Sequence, residues 1–252
     1  MVGITSYGAY IPRYRMDRRL IFEQLGWFNP GTTSVARGEK AVANYDEDAI
    51  TMAHAAATDC LKGKSREMID GLYLASISFP FAQRQNAVIV SDALDFPANV
   101  RTADFTGSLR SGTTALLSAL EAVKSGNSET MMICASDCRV GKPGSTQEHT
   151  FGDGAAALLV GNKEIIAELK GFYSVSYDFI DYRRLTSERF LHAWEERWIR
   201  EEGYGKIVPK AIEGLLSKCK VSVNDFAKII IPCPIEAWLR GIVLLITLFW
   251  TS

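Results

Sequence analysis

The sequence predicts an α/β domain built around a largely buried sheet, and three observations carry the prediction. Short apolar runs of strand length alternate along the chain with longer stretches in helical period. The runs at 130–135 (TMMICA) and 155–160 (AAALLV) show no polar alternation, as strands covered on both faces do not. Helix-stopping residues fall where the pattern changes, with Pro97 after one apolar stretch and Gly126 after another.

In chain order, residues 2–10 read as the first strand. Asp46 stands where it could cap a helix whose apolar face is Ile50, Ala53, Ala57, Cys60 and Leu61. Residues 72–78 read as a strand, 86–94 as a short apolar helix, and 99–105 as another strand. Residues 112–124 are rich in Ala and Leu and read as a helix that Gly126 can close. The character changes after Gly161. Residues 168–177 suggest a strand. Residues 185–200 are aromatic and charged, with Phe190, Trp194 and Trp198 at helical spacing, a stripe that more often forms core or interface than a ligand site. Ile207, Ala211, Ile212, Leu215, Leu216 and Cys219 mark an amphipathic helix. Residues 228–231 (KIII) read as a strand leading into Pro232-Cys233-Pro234.

Composition narrows the function classes. The chain has 252 residues, with 28 Lys and Arg against 29 Asp and Glu, a formal charge of −1. That balance does not support a nucleic-acid partner. Five cysteines without C-x-x-C spacing and three histidines argue against a zinc site or a disulfide framework. Neither a P-loop nor G-x-G-x-x-G is present, so no resident cofactor is expected. Residues 1–10 lack a basic stretch followed by an apolar one, which favours the cytoplasm. The uncharged run 241–250 (GIVLLITLFW) is shorter than the roughly 20 apolar residues of a membrane span.

Four segments together carry a family resemblance. They are Gly8-Ala-Tyr-Ile-Pro12-Arg13-Tyr14, Glu39-Lys-Ala-Val42 with Asp46-Glu-Asp48, Asp104-Phe-Thr-Gly-Ser-Leu-Arg-Ser-Gly-Thr113, and Phe151-Gly-Asp-Gly-Ala-Ala-Ala157. Their order and spacing over residues 1–234 resemble the N-terminal half of hydroxymethylglutaryl-CoA synthase-like proteins, members of the thiolase-fold condensing enzymes. The resemblance implies a layered α-β-α-β-α sandwich of two similar halves. By that division, 1–165 is a complete first half, 166–234 an incomplete second half, and 235–252 an atypical apolar tail. The resemblance also implies acyl-CoA as substrate and a homodimer.

In the family, a cysteine thiolate at a helix N-terminus takes the acyl group, a glutamate acts as acid and base, and a histidine positions the second acyl-CoA. Aligned by motif, the nucleophile slot in Leu109-Arg110-Ser111-Gly112-Thr113 holds Leu109. The acid/base slot in Ala75-Ser76-Ile77-Ser78-Phe79 holds Ile77. The histidine slot in Pro232-Cys233-Pro234-Ile235 holds Pro232. None of these side chains ionises or forms a thioester, so standard thiolate chemistry is not expected in this chain.

Neighbouring groups offer few substitutes. Ser108 and Ser111 read as turn or N-cap residues, since a serine nucleophile needs an adjacent base. Cys134 and Cys138 read as core thiols. The loop holding His149, Thr150 and Gly152 corresponds to one that lines the family's acyl pocket, so these residues are candidates for substrate binding, although His149 reads more readily as part of a structural turn. Asp153, between two glycines, reads as a turn residue holding backbone N–H groups.

The family pattern fades after Pro234. A truncated or frame-shifted reading is one expectation, and a short protein whose apolar tail binds a partner is the other. Three functions follow: an acyl-CoA condensing or cleaving enzyme; a non-catalytic or aldolase-like subunit paired with a thiolase-like or zinc-ribbon/OB-fold protein; or a gene product without its own activity.

Overall fold

The computed structural model describes residues 1–231. The chain divides into two compact units, the first ending at Leu169 and the second beginning at Lys170.

The first unit opens with β1 (Gly3–Tyr10), then β2 (Tyr14–Asp17), α1 (Arg18–Leu25), β3 (Glu39–Val42) and α2 (Ala49–Cys60). It continues with β4 (Gly71–Ala75), α3 (Asn86–Ala93), β5 (Arg101–Phe105), α4 (Ser111–Lys124) and β6 (Thr130–Asp137). It closes with α5 (Thr146–Thr150), β7 (Gly154–Gly161) and β8 (Ala167–Glu168). The main sheet has the order β5-β4-β6-β7-β1-β8. β4 lies parallel to β5 and β6, while β7 runs antiparallel to β6 and β1. β1 therefore points the same way as β4, β5 and β6. β2 and β3 pair only with each other.

The two sheet faces follow strand parity. Leu72, Leu74, Met132, Cys134 and Leu159 face α2 and α3. Tyr73, Met131, Ile133 and Val160 face Ala115, Ala119, Leu120 and Val123 of α4. The centre of the unit is thus a helix–sheet–helix sandwich, which is why β4 and residues 131–135 of β6 are apolar. The alanines of α2 let it lie close to β1. A Cβ on Gly8 would stand 2.3 Å from the Cys60 nitrogen and 2.5 Å from the Ala56 carbonyl oxygen, so only glycine fits there.

The second unit contains β9 (Tyr182–Arg183), β10 (His192–Ala193), α6 (Glu196–Trp198), a π-helical segment Ile199–Tyr204 and α7 (Gly205–Cys219). Phe179 stacks on Trp198 with ring centroids 4.3 Å apart. Trp194 meets Trp198 edge-on at 6.3 Å. Among the described residues, no helix is long and apolar enough to cross a membrane.

Several expectations are corrected. The cap of α2 is Asp48, not Asp46. Its carboxylate accepts from the Ile50 and Thr51 amides at 2.9 and 2.8 Å, and its own amide donates to the Thr51 hydroxyl at 2.7 Å. Asp46 sits in the preceding turn, too early to reach the first helical amides. The strand expected over 168–177 stops at Glu168. Its partner β1 begins at Gly3, and beyond a last bond from the Leu169 amide to the Val2 carbonyl at 3.3 Å no ladder remains to extend it. Residues 185–200 are not one helix. β10 pairs with β9 inside that span, so the aromatic spacing arises from a strand followed by a helix. Residues 228–231 form no strand among the described residues. Pro232 and the apolar tail lie outside the described residues.

Asp48→Ala is expected to cost about 1 kcal/mol, whereas Asp46→Ala should stay within about 0.5 kcal/mol of the parent. Urea unfolding of the two variants distinguishes them.

Candidate functional site

Both faces of β4 and of most of β6 are buried under helices, so ligand chemistry there falls to the strand ends. In open α/β sheets the carboxyl ends of the parallel strands form that place. Here Ala75 pairs with both Phe105 and Ala135, so β4, β5 and β6 end level. Tyr10, near the end of β1, pairs with Ala155, and Asp137 pairs with Gly154 at the start of β7. The segments after β4 and β5, the 138–153 connection and the chain after Tyr10 all leave or enter at this edge. Ile77 and Leu109, distant in sequence, are thereby brought to one edge. His149, Thr150 and Gly152 arrive there just before β7.

Two aspartates hold the loop that carries Ile77. A single Asp137 oxygen accepts from the Ser76 hydroxyl at 2.9 Å, the Ile77 amide at 2.9 Å and the Ser78 hydroxyl at 3.0 Å. The Ser78 hydroxyl in turn accepts from the Cys138 amide at 2.8 Å. These bonds end β4 at Ala75, short of the strand expected to reach residue 78. At the far end, Asp104 caps α3 from the neighbouring strand. It accepts from the Asn86 and Ala87 amides, both at 2.7 Å, and from the Asn86 side chain at 2.9 Å. Asn86 also donates to the Phe81 carbonyl at 3.0 Å. Neither anchor was identified from the sequence. The available signal was an acidic residue in each of two otherwise strand-like segments.

Leu109 stands just ahead of α4 and is 56% exposed. The head of α4 has no side-chain cap. It presses on the end of β6, where a Cβ on Gly112 would lie 3.3 Å from the Ala135 Cβ. Ser108 and Ser111 bond within this turn. The Ser108 hydroxyl accepts from the Arg110 amide at 3.2 Å, and the Ser111 hydroxyl donates to the Ser108 carbonyl. Neither is paired with a histidine.

The excursion between β1 and α2 covers part of the same edge. Asn29 donates to the Gly144 carbonyl at 3.0 Å, and Lys40 to the Glu148 carbonyl. Asp153 clamps β3 at two points. Its amide donates to the Ala41 carbonyl at 3.1 Å, and its carboxylate accepts from the Ala43 amide at 2.8 Å. Burial raises the Asp153 carboxyl, opposed by the Ala43 amide, and burial lowers Lys40. Burial, reinforced by the adjacent Asp153 charge, pushes the Cys138 thiol up to about 11. Cys134 is raised by burial in the core. Neither thiol is therefore a ready thiolate at neutral pH.

His149 is fully buried, with Nδ1 3.0 Å from the Ser145 carbonyl of its own helical turn and Nε2 without a partner. The Thr150 hydroxyl donates to the Thr146 carbonyl at 2.9 Å. Gly152 lies beside the Ala41 backbone. Among the described residues no group of three or more His, Cys, Asp and Glu side chains could hold a metal ion.

Replacing Asp137 with Ala should leave three donors unsatisfied, lower stability by about 2 kcal/mol, and speed amide exchange at Ile77. Urea unfolding and hydrogen exchange check this. Alkylation of Cys138, followed by peptide mass spectrometry, should be slow at pH 8 and rise toward pH 11. Asp153→Asn should move that profile toward the ordinary thiol value of about 8.5.

No protein-family model matches the chain. It is 34% identical over 232 residues to hydroxymethylglutaryl-CoA synthase of Thermococcus onnurineus, an alignment covering 89% of this chain and 64% of that protein. It is 33% identical over 237 residues to the same enzyme of Pyrobaculum aerophilum, covering 92% of this chain and 67% of the relative. The chain thus spans just under two thirds of the first of these relatives. A solved HMG-CoA synthase complexed with CoA superposes with a TM-score of 0.84 at 21% identity, covering 97% of this chain and 63% of that one. Xanthomonas campestris OleA, solved with lauric acid and lauroyl-CoA, gives 0.84 at 17% identity, covering 98% of this chain and 82% of that one. A 3-oxoacyl-(acyl-carrier-protein) synthase III gives 0.80 at 15% identity, covering 98% and 82%. These likenesses show a thiolase-like condensing-enzyme fold. With relatives of this identity and coverage, the chain belongs to the hydroxymethylglutaryl-CoA synthase family.

Proposed function

We propose that this chain binds CoA thioesters at the carboxyl edge of its sheet and does not take the acyl group onto itself at position 109. One observation carries the reading: the fold brings Leu109 and Ile77, the residues aligned with the nucleophile and acid/base slots, to one edge, and both are hydrocarbon. A thioester needs a sulfur or oxygen nucleophile, and proton transfer needs an ionisable group. The solved relatives bound to CoA and to lauroyl-CoA support the ligand class. His149, Thr150 and Gly152 belong to the loop beside that ligand. The chain needs no resident cofactor in this reading, since the acyl-CoA is the substrate. Any condensation it takes part in uses a thiolate on another chain, a thiolase-like subunit or an assembly with a zinc-ribbon/OB-fold protein. The same reading puts it in the cytoplasm, in acyl-CoA and lipid metabolism, as a homodimer or within such a hetero-oligomer.

Titration calorimetry with acetyl-CoA tests binding, and incubation with radiolabelled acetyl-CoA tests transfer. The expected result is saturable binding without covalent label in the parent chain. Leu109→Cys should acquire label that hydroxylamine removes. Covalent label on the parent, or no binding of CoA or acetyl-CoA, would overturn the proposal.

A further inference from the structure

We propose that Arg139 holds an oxyanion of the bound CoA thioester, either a phosphate of its nucleotide or a carboxylate on its acyl group. The inference rests on the acyl-CoA reading above and adds a ligand-binding residue to it.

The connection from β6 to β7 fixes Arg139 at the carboxyl edge. Just before it, Asp137 accepts from the Ile77 amide at 2.9 Å, and the Cys138 amide donates to the Ser78 hydroxyl at 2.8 Å. The returning arm is pinned by the Asp153 bonds to Ala41 and Ala43. Between these anchors the two arms touch backbone to backbone. A Cβ on Gly141 would stand 2.3 Å from the Glu148 nitrogen and 2.6 Å from its Cα. The Ser145 amide donates to the Lys142 carbonyl at 3.0 Å, and the Gly144 amide to the Glu148 carboxylate at 2.6 Å. Arg139 on the outgoing arm thereby meets Phe151 on the returning one, its guanidinium carbon 3.9 Å from the ring centroid. Arg84, Arg101 and Arg189 lie over rings at 5.1, 5.9 and 5.3 Å, so the Arg139 contact is the tightest of the four.

That contact decides how the charge is presented. A ring against one face of a guanidinium leaves its N–H fork free in the plane. Phe151 holds the cation without neutralising it. Arg139 is half-buried and, among the described residues, makes no hydrogen bond or ion pair. Arg19, Arg197 and Arg200, by contrast, each have a carboxylate partner. Asp137 and Asp153 accept from amides and hydroxyls instead of from Arg139. A cation partly withdrawn from water without an acceptor forfeits hydrogen bonds that a ligand can restore. A carboxylate or phosphate does so with two parallel bonds, and no carboxylate of the protein has to be displaced first.

Titration calorimetry on the full chain tests the proposal with pentanoyl-CoA, glutaryl-CoA and pentanoyl-pantetheine, which carries no phosphate. Arg139→Gln should weaken binding of the thioester bearing the recognised oxyanion about tenfold. Arg139→Lys keeps the charge but not the planar fork; it should recover only part of the loss, and it keeps the test open should the Gln variant fail to fold. Loss on glutaryl-CoA alone assigns the acyl carboxylate. Equal loss on both CoA thioesters, with pentanoyl-pantetheine unaffected, assigns a phosphate. Unchanged binding of all three, or equal loss on all three, would overturn this inference and leave the acyl-CoA reading standing. Binding of none of them by the parent chain would overturn the acyl-CoA reading itself.

Discussion

Burial of both faces of the central strands β4 and β6 is the constraint on which the rest of the first unit depends. Leu72, Leu74, Met132 and Cys134 are sealed by α2 and α3, and Tyr73, Met131 and Ile133 by α4. No functional group can project from those faces without disrupting a packed core. Chemistry is thereby confined to the strand ends. Because β1, β4, β5 and β6 share one direction, their carboxyl ends gather at a single edge. The antiparallel β7 delivers the loop that precedes it to the same place.

That edge is built independently of the side chains aligned with the reactive slots. The Ile77 loop is held through its main chain and its serines by Asp137, and α3 is capped by Asp104. The excursion from β1 is pinned by Asp153. None of these bonds uses the side chain of residue 77 or 109. The scaffold can therefore persist with hydrocarbon in both slots. The polar groups here, Arg139 apart, are committed to architecture. Asp137 satisfies three donors, Asp153 clamps β3, and the Cys138 thiol is held protonated.

Much of the first unit was legible in the sequence because its signals are local and repeated. Apolar strand runs, the alanine-rich helix at 111–124 and Gly126 at φ +79° follow from pattern and turn chemistry alone. The second unit was less legible. Helical spacing over Phe190, Trp194 and Trp198 is also produced by a two-residue ladder followed by a short helix. A strand pattern at 168–177 has no meaning without a partner strand to bond.

The sequence by itself determined the fold class, the family and the identity of the residues at positions 77 and 109, because these depend on residue type and order. Only the tertiary structure decided that Asp48 rather than Asp46 caps α2, since a cap depends on which carboxylate reaches the first amides. It also decided where β8 stops, since a strand ends when its neighbour does. And it revealed Asp104 and Asp137 as anchors, since their partners are brought near only by strand pairing. These are long-range contacts, and no local pattern encodes them.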